Sequence, residues 1–155
     1  MRTEDLDDRD RRILSELQRD GRLSNAELAE RVHLSPSACL RRVQILFESG
    51  LVAGTHLVLD ERAAGFAGTA YVSITLDGQQ RDRLDAFEAR VQRIPEIQEC
   101  YLLAGQSDYL LRVVFRDMAD LERLHADLLT RLPGVVRVQS TLALRAVKRT
   151  SALPL

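Results

Sequence analysis

The chain lacks most of the residue groupings that small-molecule chemistry requires. Its two cysteines, Cys39 and Cys100, lie in separate apolar runs with no Cys or His at metal-ligand spacing. That excludes a zinc knuckle and a disulfide framework and leaves buried free thiols as the default. No Gly-rich phosphate loop occurs, and no Ser or Cys sits beside a His and an acid in a recognisable motif, so the chain reads as no enzyme, without catalytic residues, metal or cofactor. No signal peptide opens it and no apolar run approaches the ~20 residues that span a bilayer, which predicts a reducing, cytoplasmic location with no membrane partner. Lysine is nearly absent, Lys148 being the only one, and coding bias accounts for that as well as function does. An excess of positive charge is also absent: the net charge is −1 over 155 residues, not the usual footprint of a nucleic-acid binder.

What the chain does contain, between Gly21 and Val52, is two short helices and a tight turn. Ser24 and Glu27 form a capping box, after which Leu28, Ala29 and Val32 mark a buried stripe. His33 and Leu34 make the turn. Ser35 caps the next helix, Pro36 occupies its first position, and Gly50 ends it in a left-handed conformation. On this second helix Cys39, Val43 and Leu46, with Leu40 beside them, should face a core completed by an upstream helix over residues 8–20 carrying Ile13, Leu14 and Leu17. Residues 51–59, broken at Ala53-Gly54, read as a small hairpin, or wing.

A compact pair of this kind sets its second helix into a DNA major groove. The outer face then carries Ser37, Ala38, Arg41, Arg42 and Ile45, with Ser35 at its start. Arg41 is the first choice for a base edge, with Ser37 and Arg42 on phosphates; His33 and His56 are further candidates for phosphate. Acids predominate up to Glu30, whereas residues 31–57 hold Arg31, Arg41 and Arg42 against Glu48 alone. So thin a basic patch predicts modest affinity for one reading head and calls for two or more on one duplex.

Residues 60–68, small and with Gly65 and Gly68, read as a linker. Beyond it the pattern is a doubled strand–helix–strand. Residues 69–76 alternate strictly, with Ala70, Val72, Ile74 and Leu76 on one face, and a helix over 81–92 carries Leu84, Phe87 and Val91. Strands follow at 97–103 and 108–115. Asp117 caps a helix whose buried side is Leu121, Leu124, Leu128 and Leu132. A last strand over 135–144 alternates through Val136, Val138, Ser140, Leu142 and Leu144. The junctions Arg93-Ile94-Pro95-Glu96-Ile97 and Arg131-Leu132-Pro133-Gly134-Val135 echo one another. Two such units give an α+β ferredoxin-like βαββαβ domain, both helices on one face of a four-stranded antiparallel sheet. The third strand is apolar on both faces but for Arg112, and the second face should be buried by another copy, which predicts a homodimer.

These residues carry a resemblance. Leu6-Asp7-Asp8-Arg9-Asp10, Asp20-Gly21-Arg22-Leu23-Ser24-Asn25, Leu34-Ser35-Pro36 leading to Cys39-Leu40-Arg41-Arg42-Val43, Glu99-Cys100-Tyr101-Leu102, Gly105-Gln106-Ser107-Asp108-Tyr109-Leu110-Leu111 and Arg131-Leu132-Pro133-Gly134-Val135 together resemble the Lrp/AsnC (feast/famine) transcription regulators over nearly the full length. The tail, Thr150-Ser151-Ala152-Leu153-Pro154-Leu155, is similar to a branch that includes regulators of branched-chain amino-acid catabolism. Many relatives carry basic residues at Gln44 and Ile45 and an acid at Phe47, so a relative's operator does not carry over.

The resemblance implies a winged helix-turn-helix over 1–59, the linker, and an amino-acid-sensing and oligomerisation domain over 69–155 that dimerises and assembles to an octamer. It implies an amino-acid effector, such as leucine or another branched-chain amino acid, bound between dimers. The loop Gly105, Gln106, Ser107, Asp108 and Tyr109 matches the effector motif: Gly105 would admit a close ligand, turn amides a carboxylate and Asp108 an ammonium. Met118 and Thr141, with Ser140 adjacent, match positions linked to effector response. The competing expectation is an amino-acid sensor or interaction module that does not bind DNA.

Overall fold

A computed structural model describes residues 5–155, so the first four residues of the expected 1–59 domain lie outside the described residues. The chain divides into two compact units, one running to Val58 and including Lys148–Leu155, the other Leu59–Val147.

The first unit is built on three helices. Helix α1, Asp8–Arg19, starts where the Asp7 carboxylate accepts the amides of Arg9 and Asp10 at 2.9 and 2.8 Å. Helix α2, Asn25–Arg31, starts in the expected box: Ser24 N–H donates to Glu27 Oε2 at 2.8 Å and Glu27 N–H returns to Ser24 Oγ at 3.3 Å. It ends with His33 at φ 55°, its N–H bonded to Glu30 O and that of Leu34 to Ala29 O. This is a Schellman turn with histidine where glycine is usual. Helix α3, Pro36–Glu48, is capped by Ser35 Oγ on the Ala38 amide at 3.3 Å and closed by Gly50 at φ 77°.

Leu6, Ile13, Leu14, Leu28, Ala29, Val32, Cys39 and Leu46 form the core of the unit, with Val43 packed against it. Two expectations fail here. Leu40, placed beside the core stripe, is 47% exposed, because the stripe from Cys39 to Leu46 is one residue wide and its neighbour lies about 100° round the helix. Residues 51–60 carry no strand, so the expected hairpin is absent from the described residues. Leu57 and Val58 stand more than four-fifths exposed, and an isolated two-stranded ribbon with nothing to bury its apolar side is marginal in water.

Lys148–Leu155 groups with the helical unit. The Gln18 side-chain amide holds it like a short piece of strand, accepting from Leu153 N–H at 2.6 Å and donating to Leu153 O at 3.2 Å.

The second unit is a four-stranded antiparallel sheet of order β2-β3-β1-β4, from strands β1 Gly68–Leu76, β2 Ile97–Leu102, β3 Tyr109–Phe115 and β4 Val135–Leu142. Helices α4, Arg81–Val91, and α5, Met118–Arg123, supply Phe87, Val91 and Leu121 to one core with Val72, Ile74, Leu111 and Val113. The ferredoxin-like expectation holds. Gly68, expected in the linker, opens β1 opposite Phe115, whose ring lies 2.5 Å from where a Cβ would be.

Two details break the simple periodicities. After α5 the chain makes a π turn, Leu124–Leu128, and a 3₁₀ turn, Leu129–Arg131. The wider turn carries the buried stripe from Leu124 to Leu129, leaving Leu128 only partly buried. In β4 a bulge sets Leu76 opposite Val135 and Thr75 opposite Arg137. The extra residue, Val136, turns outward and is 63% exposed.

The face of β3 away from the helices is not left bare. Arg112 donates to Glu99 Oε1 at 2.7 Å and Glu61 Oε1 at 3.0 Å, and Val114 is buried. The stated need for a second copy to cover this strand is therefore met largely within the chain. Open apolar groups on this side include Tyr71 and Tyr101, 43% and 54% exposed.

Candidate nucleic-acid interface and effector-loop surface

Helix α3 presents its candidate reading face as a consequence of its cap. Pro36 at the first position fixes the entry, Ser35 spends its hydroxyl on the Ala38 amide, and Ser37, Arg41, Gln44 and Ile45 are left exposed. Ala38 is half-buried. Among the described residues Arg41 makes no ion pair, so its guanidinium is available to an outside partner. With Asp10, Arg42, Ile45 and Leu46 it lines a shallow crevice of about 120 Å³. His56 is exposed in the segment without strands, and His33 is exposed on the turn.

Arg42 departs from expectation. It is not on the outer face as a spare cation; its side chain is only 22% exposed, and Nη1 reaches Asp10 Oδ1 at 2.7 Å and Asp7 Oδ2 at 2.8 Å. Asp7 sits below the usual carboxylate range, chiefly because the Asp10 amide bonds it, with Arg42 adding to the effect. The Arg42 guanidinium is pushed up, first by Asp10. A phosphate would have to compete with two carboxylates already in place. The sequence carried a sign of this in the acids of Leu6-Asp7-Asp8-Arg9-Asp10, but their partner lies 32 residues away on another helix.

The residues of the candidate effector loop divide in two. Gly105 and Gln106 are exposed, Ser107 half-buried, and a Cβ at Gly105 would meet nothing within 4 Å. Asp108 is buried: Oδ2 accepts from Leu76 N–H at 2.7 Å and Oδ1 from Gln79 Nε2 at 2.6 Å. The carboxylate expected to meet a ligand ammonium instead fastens the β2–β3 loop to the end of β1. Tyr109 is a core residue, its ring 4.4 Å from that of Phe87 and its hydroxyl donating to Glu88 at 2.7 Å. Burial, then Glu88, push its phenol well above the usual range.

The remaining candidates lie elsewhere. Met118 is 62% exposed beyond the far end of the seven-residue β3, roughly 20 Å from the loop at about 3.3 Å per residue. Ser140, opposite buried Val72, is on the helix side with Oγ 3.2 Å from His125 Nδ1, whereas Thr141, opposite Tyr71, is on the other face. One chain thus does not gather these residues into one pocket. Among the described residues no cluster of three metal-ligating side chains occurs, and no helix is long and apolar enough to cross a membrane.

Residues 6–53 match the winged helix-turn-helix DNA-binding model, and residues 69–153 match the Lrp/AsnC ligand binding domain. The chain belongs to the Lrp/AsnC family. It is a DNA-binding transcription regulator, and the family is one of regulators, not enzymes. The leucine-responsive regulatory protein of Salmonella typhimurium is 42% identical over 149 residues, covering 96% of this chain and 91% of the relative. The protein of the same name from Escherichia coli K12 is 41% identical over the same lengths. Among solved structures, a Neisseria meningitidis transcriptional regulator in complex with L-Met superposes with a TM-score of 0.92 at 38% identity, covering 96% of each chain. An AsnC family regulator from Agrobacterium tumefaciens gives 0.90 at 34% identity, covering 96% of this chain and 97% of that one.

Proposed function

We propose that the protein is a cytoplasmic regulator whose α3 reads a DNA half-site, and that an amino acid bound between copies adjusts its grip. Arg41 contacts a guanine edge, Ser35, Ser37, Ala38 and Ile45 line the groove, and His56 meets phosphate. The observation that carries the reading is an exposed Arg41, without an ion pair among the described residues, on a helix capped at both ends. Since the paired Arg42 withdraws one cation from this face, a single head binds weakly and a dimer is needed.

The effector is an apolar amino acid, leucine or another branched-chain one, as the name of the leucine-responsive relatives and the methionine complex of the meningococcal protein suggest by analogy. Gly105, Gln106 and Ser107 of one copy, with Asp108 and Tyr109 as their support, meet Met118, Ser140 and Thr141 of another. The distance of Met118 from the loop, and the placing of Ser140 and Thr141 on opposite faces of the sheet, favour a site between copies. Dimers form through the sheet face carrying Tyr71 and Tyr101 and assemble further to an octamer.

Gel shifts on fragments upstream of its own and neighbouring genes, with and without leucine, isoleucine, valine or methionine, test this. A shift that one amino acid changes is the expected result. Amino-acid binding without any DNA shift would leave a sensor and overturn the reading.

A further inference from the structure

We propose that Arg42 is a positioning residue of the reading helix: its guanidinium, held between Asp7 and Asp10, sets the rotation of α3 that aims Arg41. The inference rests on the reading of α3 as the DNA-contacting helix and adds how that helix is aimed. Three observations support it. First, a single nitrogen of Arg42 makes both short contacts, a hydrogen bond to Asp10 at 2.7 Å and an ion pair with Asp7 at 2.8 Å, so that nitrogen is held by α1 and its cap. Second, Asp7 is itself fixed, since its other oxygen accepts the amides of Arg9 and Asp10. The clamp thus joins α3 to the first turn of α1. Third, Cys39, Val43 and Leu46 form a narrow packing seam, and such a seam resists separation of two helices better than rotation of one about its axis.

Rotation matters because the helix with its side chains is about 10–12 Å across, so a 20° turn moves a side-chain tip by roughly 2 Å. A two-point bond from arginine to a base edge does not survive that displacement. Arg41 adjoins Arg42, so fixing the azimuth of one fixes the other. Charge argues the same way. Asp7, Asp10 and Arg42 sum to −1 beside the face that must approach phosphates, in a chain with little positive charge there. For long-range attraction these acids are a liability, and their placement makes sense if they orient the helix.

That liability makes the test decisive. Asp7→Asn and Asp10→Asn each remove a negative charge; asparagine is as good an N-cap as aspartate, so the first keeps the start of α1. Binding is measured by fluorescence anisotropy over a salt series, on a duplex the wild-type protein selects from a random-sequence pool and on a scrambled duplex of equal length. The clamp predicts that both variants bind the selected duplex roughly ten-fold or more weakly, as expected for a misplaced base contact, while scrambled DNA is bound as before or slightly more tightly. If Arg42 is instead a phosphate ligand held back by the acids, both variants bind both duplexes more tightly and the salt slope steepens by about 0.9, which overturns the proposal. Far-UV circular dichroism and thermal melts establish that each variant is folded. Should either unfold, Asp10→Glu keeps the charge and moves the carboxylate by one methylene, and undiminished selectivity in that variant overturns the clamp equally. Failure of the wild type to enrich any duplex would remove the DNA-reading assignment itself, and the clamp with it.

Discussion

Asn25, the first residue of α2, donates from Nδ2 to the carbonyl oxygen of Pro36, the first residue of α3, at 2.8 Å. The two helices of the reading pair are thus tied start to start by one side chain. Its other amide atom, Oδ1, is buried with no partner among the described residues.

This geometry sets opposite expectations for two substitutions. Asn25→Ala gives up a donor but also removes an unsatisfied buried oxygen, so the net cost should be small, about 1 kcal/mol or less. Asn25→Asp places an anionic oxygen against the Pro36 carbonyl and should cost more, about 2 kcal/mol, despite aspartate suiting a helix start. Urea titration of both variants checks the order, and an aspartate variant as stable as the alanine one would remove the tie.

His33 offers a gain. A non-glycine residue in the left-handed region carries a penalty of about 1–2 kcal/mol, and here it terminates α2. His33→Gly should raise stability by about 1 kcal/mol in urea with DNA affinity unchanged. Stabilisation accompanied by a loss of affinity on all sequences alike would instead assign the imidazole to phosphate.

These residues also illustrate how far the sequence could be read. Helix starts and stops were legible because they are local: Ser24 with Glu27, Ser35 with Pro36, Asp117 and Gly50 each act within a few positions. The ferredoxin-like order followed from alternating strands and two echoing junctions. What escaped notice depends on partners distant in sequence. Arg42 looked like a surface cation until Asp7 and Asp10 came beside it from another helix, and Asp108 looked like a loop acid until Leu76 and Gln79 enclosed it. The π turn after α5 and the bulge at Val136 each insert a residue into a regular pattern, which periodicity cannot anticipate. The hairpin at 51–59 rested on a turn signal without a surface to bury it.

Depressed carboxylates in the helical unit and a raised thiol in the sheet unit each set a pH limit on stability. Asp7 and Glu27, both in the helical unit, are held below the ordinary carboxylate range, Glu27 first by the Ser24 hydroxyl and Asp7 first by the Asp10 amide. A depressed folded pKa gives stability that is present above the unfolded values of 3.8 and 4.5 and lost as pH falls through the folded ones. In the sheet unit burial, then Glu88, push the Cys100 thiol from 9.0 up to about 11. That contribution is present below pH 9 and is lost between pH 9 and about 11. Urea midpoints followed by amide exchange in each unit, from pH 3 to 11, check both windows. Asp7→Asn should flatten the acid limb alone, and Cys100→Ala the alkaline limb alone.

The proposed effector loop contains the sharpest separation between support and contact. Asp108 is buried and receives two hydrogen bonds from the β1 end and the segment after it, whereas Gln106 is exposed. Asp108→Ala leaves the Leu76 amide and the Gln79 side chain without their shared acceptor, at about 1–3 kcal/mol for the buried donor. Its primary effect should therefore be a lower urea midpoint, with any loss of amino-acid binding following from disorder of the loop. Gln106 is exposed and makes no side-chain hydrogen bond among the described residues, so the midpoint of Gln106→Ala should match wild type while leucine or methionine binding, read by isothermal titration calorimetry, weakens. The reverse pattern, a fully stable Asp108→Ala that no longer binds amino acid beside an unaffected Gln106→Ala, would return the aspartate carboxylate to the ligand and refute its role as a fastening between strands.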